Sequence, residues 1–156
     1  MISFFFLTLV LEYSRMADYT VTELCIHEQE LEKLPDDIDK YTNLKRLNCS
    51  YNELTSLDNL PQKLKNLDCS YNKLTSLDNL PQNLIELYCN GNKITSLDNL
   101  PPTLEILKCW NNQITSLDNL PPKLEVLYCN NNQLKYDFEH TLENIRNYNA
   151  SRILSS

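Results

Sequence analysis

"SLDNLPQKLKNLDCSYNKLT" (Ser56–Thr75) is one turn of a 20-residue period. The string SLDNLP returns at Ser56–Pro61, Ser76–Pro81, Ser96–Pro101 and Ser116–Pro121. Shifted by 20 residues, the chain superposes column on column. Leu44, Leu64, Leu84, Leu104 and Leu124 form one column. Leu47, Leu67, Leu87, Leu107 and Leu127 form the next. Cys49, Cys69, Cys89, Cys109 and Cys129 follow, then Asn52, Asn72, Asn92, Asn112 and Asn132, then Leu54, Leu74, Ile94, Ile114 and Leu134. Leu57, Leu77, Leu97 and Leu117 close the set with Leu60, Leu80, Leu100 and Leu120. An earlier, 23-residue version carries Val21, Leu24, Ile26, Gln29, Leu31, Leu34, Pro35 and Ile38, with Gln29 in the Asn slot.

Elementary physics turns this period into a fold. Alternation at Leu47 and Cys49 is strand periodicity and predicts a short strand over Leu47–Cys49 with both side chains inward. Asn52 then turns the chain, and its buried amide needs partners among the free backbone groups of the turn. The return path "TSLDNLPQ" is too short for a useful helix, and Pro61 lacks a donor and fixes φ, which predicts an extended or polyproline-like back. A single unit cannot bury its own apolar face, so units must stack, each pairing its strand in parallel with the next. The expected architecture is an α/β-type solenoid of mostly short parallel β-strands, a right-handed fragment of a horseshoe with terminal caps.

The unit L-x-x-L-x-C-x-x-N-x-L-T-S-L-D-N-L-P-x-x resembles the leucine-rich repeat, with Cys in place of the second Leu of the L-x-L pair. The resemblance covers about residues 21–134. It is most similar to the short LPX-like subclass of secreted bacterial effectors and to the small repeat proteins of giant, mimivirus-type viruses. It implies an effector-like or viral binding protein. LPX effectors often carry a separate ubiquitin-ligase domain with a catalytic Cys, which implies, as an alternative, the substrate-recognition half of a ubiquitin-ligase-like system. No room for that domain is left between repeats and caps, so no enzyme activity is expected.

The boundaries follow from the period. Residues 1–15 are an apolar N-terminal extension, 16–43 the N-terminal cap and first 23-residue repeat, 44–134 the 20-residue repeats and 135–156 the C-terminal cap. The run Ile2–Leu11 is too short to span a bilayer, for which about 20 apolar residues are needed. It is compatible with an upstream extension ahead of a start at Met16, with a signal or membrane-associating segment, or with part of the fold. In the C-terminal segment Phe138, Leu142 and Ile145 recur at helical spacing. Leu142 and Ile145 also fit the first two Leu slots of a decayed unit, but Asn147 in the Cys slot favours the helix.

A net charge of −7 in 156 residues argues against nucleic-acid binding. Five of the six cysteines fall at the inward slot, about 4.8 Å apart along a parallel stack, which makes neither a tetrahedral metal site nor good disulfide geometry. They read as small hydrophobes of a reducing compartment, and no cofactor or metal is expected. Cys25, between Leu24 and Ile26, should face outward. The row Asp58, Asp78, Asp98 and Asp118 reads as a solvated Asp-Asn turn rather than a calcium ladder, because no Gly-rich carbonyl turns accompany it. His27 and His140 are isolated and have no partnered nucleophile.

Function therefore falls to the positions that vary between units. They flank the inward strand residues and should point outward from the concave sheet. Four columns qualify: Arg46, Asn66, Glu86, Ile106 and Val126; then Asn48, Asp68, Tyr88, Lys108 and Tyr128; then Ser50, Ser70, Asn90, Trp110 and Asn130; then Tyr51, Tyr71, Gly91, Asn111 and Asn131. Tyr88, Ile106, Lys108, Trp110, Val126 and Tyr128 gather in the C-terminal half and have the composition of an interface hot spot. The expectation is a non-enzymatic protein-protein interaction module that takes a protein or peptide on its concave face. Drift after duplication is the plainer account of the same residues. A structural, self-associating repeat protein is the competing function. The reading places it in the cytoplasm, of the host cell if viral, as a monomer without stable membrane insertion; secretion is the alternative if residues 1–15 act as a signal.

Overall fold

The computed structural model describes residues 18–153. The apolar run Ile2–Leu11 and the start at Met16 lie outside them. Six three-residue strands form one parallel sheet in chain order: β1 (Glu23–Cys25), β2 (Arg46–Asn48), β3 (Asn66–Asp68), β4 (Glu86–Tyr88), β5 (Ile106–Lys108) and β6 (Val126–Tyr128). A 3-10 turn, Ile38–Lys40, precedes β2, and a helix, α1 (Leu142–Ile153), follows β6. The register sets Leu24, Leu47, Leu67, Leu87, Leu107 and Leu127 side by side, so like residues lie over like. The chain is a solenoid with one strand per coil.

Each strand begins one residue earlier than the alternation of Leu47 and Cys49 predicts. The difference is one of boundary. The Cys49 amide still donates to the Asp68 carbonyl at 2.8 Å, so the ladder of bonds runs on past the strand end. The inward residues fill a continuous core. Leu44, Leu64, Leu84 and Leu104 are fully buried, as are Cys49, Cys69, Cys89 and Cys109. Leu54, Leu74, Ile94 and Ile114 complete the column, and Leu34, Ile38 and Tyr41 join it from the first coil.

The Asn column is the spine of the stack. The amide of Asn92 donates to the carbonyls of Cys89 (3.0 Å), Asn90 (3.4 Å) and, one coil back, Cys69 (3.1 Å). Its oxygen accepts from the Leu74 amide at 3.0 Å. Each Asn thus satisfies buried backbone groups of two coils at once, which a stack of tight turns requires. Asn52, Asn72, Asn112 and Asn132 repeat the pattern. Gln29, in the same slot of the first coil, is exposed; its side-chain amide donates to the carbonyls of its own coil at His27 and Glu28, while its backbone amide donates to Asn52 Oδ1 at 2.9 Å.

The convex side has no helix or strand between β2 and β6. The amides of Leu64, Leu84, Leu104 and Leu124 each close a turn onto the buried Pro three residues earlier. Asp58, Asp78 and Asp98 are exposed, and each accepts a bond from the Ser two residues before it. Asn59, Asn79 and Asn99 follow with φ of +60°, +62° and +64°, a left-handed conformation that Asn adopts more readily than most residues.

Leu142 and Ile145, which fit both a helical spacing and two repeat slots, lie on α1. Ile145 is fully buried in the core. Arg146 donates to the Leu124 carbonyl at 2.6 Å and Asn149 to the Leu117 carbonyl at 2.8 Å, so α1 is anchored on the last coil. At the other end, the Tyr19 ring meets Tyr41 edge-on at 5.0 Å, and its hydroxyl donates to Asp37.

Candidate functional site

Two rows of side chains stand on the outer face of the sheet. Strand register sets Arg46, Asn66, Glu86, Ile106 and Val126 along one row and Asn48, Asp68, Tyr88, Lys108 and Tyr128 along the other. Ile106 therefore neighbours Val126, while Lys108 lies between Tyr88 and Tyr128. The Lys108 Nζ sits 4.2 Å from the centroid of the Tyr88 ring. The Tyr88 hydroxyl donates to Glu86 at 3.2 Å. Burial raises its pKa first, the negative charges of Glu86 and Asp68 add to that, and Arg46 opposes them. Tyr128 is 53% exposed; Tyr88, Ile106, Lys108 and Val126 are half-buried.

The third variable column departs from expectation. Ser50, Ser70 and Asn90 do not face outward but are buried. The strand has ended by this point and the backbone turns inward, so strand alternation no longer sets the side-chain direction. Ser50 donates to Asn48 Oδ1 through its amide at 3.0 Å and its hydroxyl at 2.7 Å. Ser70 does the same to Asp68 Oδ1, at 3.0 and 2.6 Å. Trp110, in this column, is half-buried and meets Tyr71 edge-on at 5.8 Å, two coils away.

The fourth column explains that reach. Tyr51, Tyr71, Gly91, Asn111 and Asn131 all have positive φ, from +52° to +67°. Since Tyr and Asn adopt the conformation too, backbone freedom is not why a glycine stands at 91. Space is: a Cβ there would lie 2.7 and 2.9 Å from ring atoms of Tyr71. Gly91 lets Tyr71 lie across its coil towards Trp110, while Tyr51 stacks on the other side of Tyr71 at 4.5 Å. An aromatic strip, Tyr51–Tyr71–Trp110, thus runs along the rim of the face. Tyr51 and Tyr71 are not among the six residues that the sequence marks for contact. The available signal was two aromatics in one column followed by the chain's single glycine.

The five inward thiols are buried, and Cys25 is not. Burial pushes Cys49 and Cys89 up to about 12. Cys69 and Cys109 are held well above their ordinary value of 9.0 by burial and, secondarily, by neighbouring thiols. Cys25 is exposed, as its position between Leu24 and Ile26 predicts. Among the described residues no group of three or more His, Cys, Asp or Glu is placed to hold a metal ion, and no helix is long and apolar enough to cross a membrane.

Known proteins share this geometry. The solved chain of YopM from Yersinia enterocolitica is 36% identical, with a TM-score of 0.51 over 67% of this chain and 27% of its own. The leucine-rich-repeat domain of a Shigella effector is 28% identical, with a TM-score of 0.56 over 83% of this chain and 66% of its own. The functional domain of InlJ from Listeria monocytogenes, which includes a cysteine ladder, is 33% identical, with a TM-score of 0.54 over 76% of this chain and 32% of its own. The chain therefore spans about a quarter of the YopM chain and a third of the InlJ chain. No curated protein sequence matches it. The family profile of paired leucine-rich repeats matches residues 42–82, 62–102, 82–122 and 102–147, in steps of the 20-residue period. With that profile over most of its length, and one strand, one buried thiol and one bridging Asn in each 20-residue coil, the chain belongs to the leucine-rich repeat family.

Proposed function

We propose that this chain is a non-enzymatic interaction module that takes a protein or peptide on its concave face. Leucine-rich repeat proteins are generally binding scaffolds, which supports the coarse reading. The finer one rests on a single observation: adjacent strands set Ile106 beside Val126 and Lys108 beside an exposed Tyr128. Tyr88 and Trp110 extend the patch, and aromatics on an open face are the residues that dominate interface energetics. Residues 44–134 supply the scaffold, with 16–43 and 135–156 as its covers. The setting is the cytoplasm, that of the host cell for a viral chain, with secretion as the alternative if residues 1–15 act as a signal; likeness to a Shigella effector domain supports an effector-like role.

Alanine at both Trp110 and Tyr128 tests the site. Hot-spot truncations cost about 2 kcal/mol or more each, so recovery of a partner from host-cell extract should fall at least tenfold. A Lys45→Ala control should recover it fully. Equal recovery by the double variant, with circular dichroism unchanged, overturns the site.

Self-association is the second reading. Among the described residues β1 and β6 each have a strand neighbour on one side only, which offers pairing edges at the ends of the sheet. Light scattering that finds only monomer across a concentration series removes it.

A further inference from the structure

We propose that Asp68, beside the stacked Tyr51–Tyr71 pair, receives the guanidinium of an arginine from the bound segment. The proposal rests on the reading of the concave face as the contact surface and names the chemistry of one subsite on it.

Asn48 and Asp68 occupy the same position in successive coils and do the same structural work. Each Oδ1 accepts from the amide and hydroxyl of the Ser two residues on, at nearly identical distances. A neutral amide therefore suffices for the turn, and the negative charge of Asp68 is surplus to it. Asp68 is half-buried, and among the described residues no cation comes within ion-pair distance of it. Cations of the neighbouring coils have partners of their own: Arg46 leans on Glu23 at 3.8 Å, Lys73 on Glu53 at 3.1 Å, and Lys108 lies over Tyr88. A carboxylate without a cation partner, partly withdrawn from water, favours an incoming positive charge.

The surroundings suit a planar cation. Tyr51 is 52% exposed and stacks on Tyr71 with 17° between the ring planes. Ser70, whose amide and hydroxyl hold the Asp68 carboxylate, accepts the Tyr51 amide at its carbonyl at 2.9 Å and precedes Tyr71, so the carboxylate and the ring pair are joined through one residue. A guanidinium both stacks on aromatic rings and pairs with carboxylates, which an ammonium does less well. The Lys108–Tyr88 pair is the same kind of contact made within the chain, on the two strands that follow that of Asp68.

The test is a nuclear magnetic resonance titration at low salt with the blocked tripeptide Gly-Arg-Gly. Saturable shifts are expected at the Ser70 amide and at the Tyr51 and Tyr71 rings. Asp68→Asn should weaken binding at least fivefold and leave the unfolding midpoint unchanged, because Asn48 already performs the turn. Tyr51→Ala should weaken it too. Blocked Gly-Gln-Gly should shift nothing. Equal binding by Asp68→Asn, equal shifts from the glutamine peptide, or no shifts from the arginine peptide overturns the proposal. If the arginine peptide fails while the Trp110/Tyr128 variant still loses its partner, the subsite falls and the contact face stands.

Discussion

Replacing Asn92 by Ala should cost about 4 kcal/mol of stability. The side chain makes four bonds, three donated to carbonyls and one accepted from an amide, across two coils. Alanine leaves these backbone groups around a small void that offers no partner. A buried polar group stripped of its bond costs about 1–3 kcal/mol, and at least two such groups lose theirs. The position matters as much as the chemistry. Asn92 lies in the middle of the stack, and a solenoid holds together through its nearest-neighbour interfaces. Asn132, half-buried in the last 20-residue coil, should cost less when replaced. Chemical denaturation followed by circular dichroism measures both. A loss below about 1 kcal/mol at Asn92 would mean the ladder is not what joins the coils.

Alkali should unfold the protein more steeply than its surface charge explains. A thiol in the unfolded chain ionises near its ordinary value of 9.0, while burial holds Cys49 and Cys89 up at about 12. The native state therefore keeps protons that the unfolded state releases. Stability from these thiols is fully present below pH 9 and is lost as pH rises from about 9 towards 12. At pH 11 each contributes a loss on the order of 3 kcal/mol. Cys69 and Cys109, raised in the same direction by burial, steepen the fall. Denaturant midpoints between pH 8 and 11 report it, and a Cys49→Ala/Cys89→Ala double variant should show a shallower decline. A decline of the same slope in that variant would contradict the linkage.

Most of the scaffold is legible in the sequence because the repeat is itself a record of packing. Leu84, Leu87 and Cys89 lie in columns that return every 20 residues, and the strands pair in that register. The same logic places Cys25 outside and Cys69 inside. What the period does not convey is direction beyond the strand end. Ser70 belongs to a variable column that strand alternation points outward, yet it is buried and its hydroxyl donates to Asp68. The link from Tyr71 to Trp110 was equally hidden, because it skips a coil and depends on the side chain missing at Gly91. A repeat reveals which residues are equivalent; contacts that break the equivalence, where specificity resides, appear only in three dimensions.

Successive coils lie in register, and each 20-residue coil seals one thiol in the stack. Reaction of the native protein with a bulky aromatic disulfide measures that directly. One of the six thiols, Cys25, should react at once, and the remaining five only after denaturant is added. Rapid native modification at Cys69, Cys89 or Cys109 would contradict the stacking and the contact face built on it.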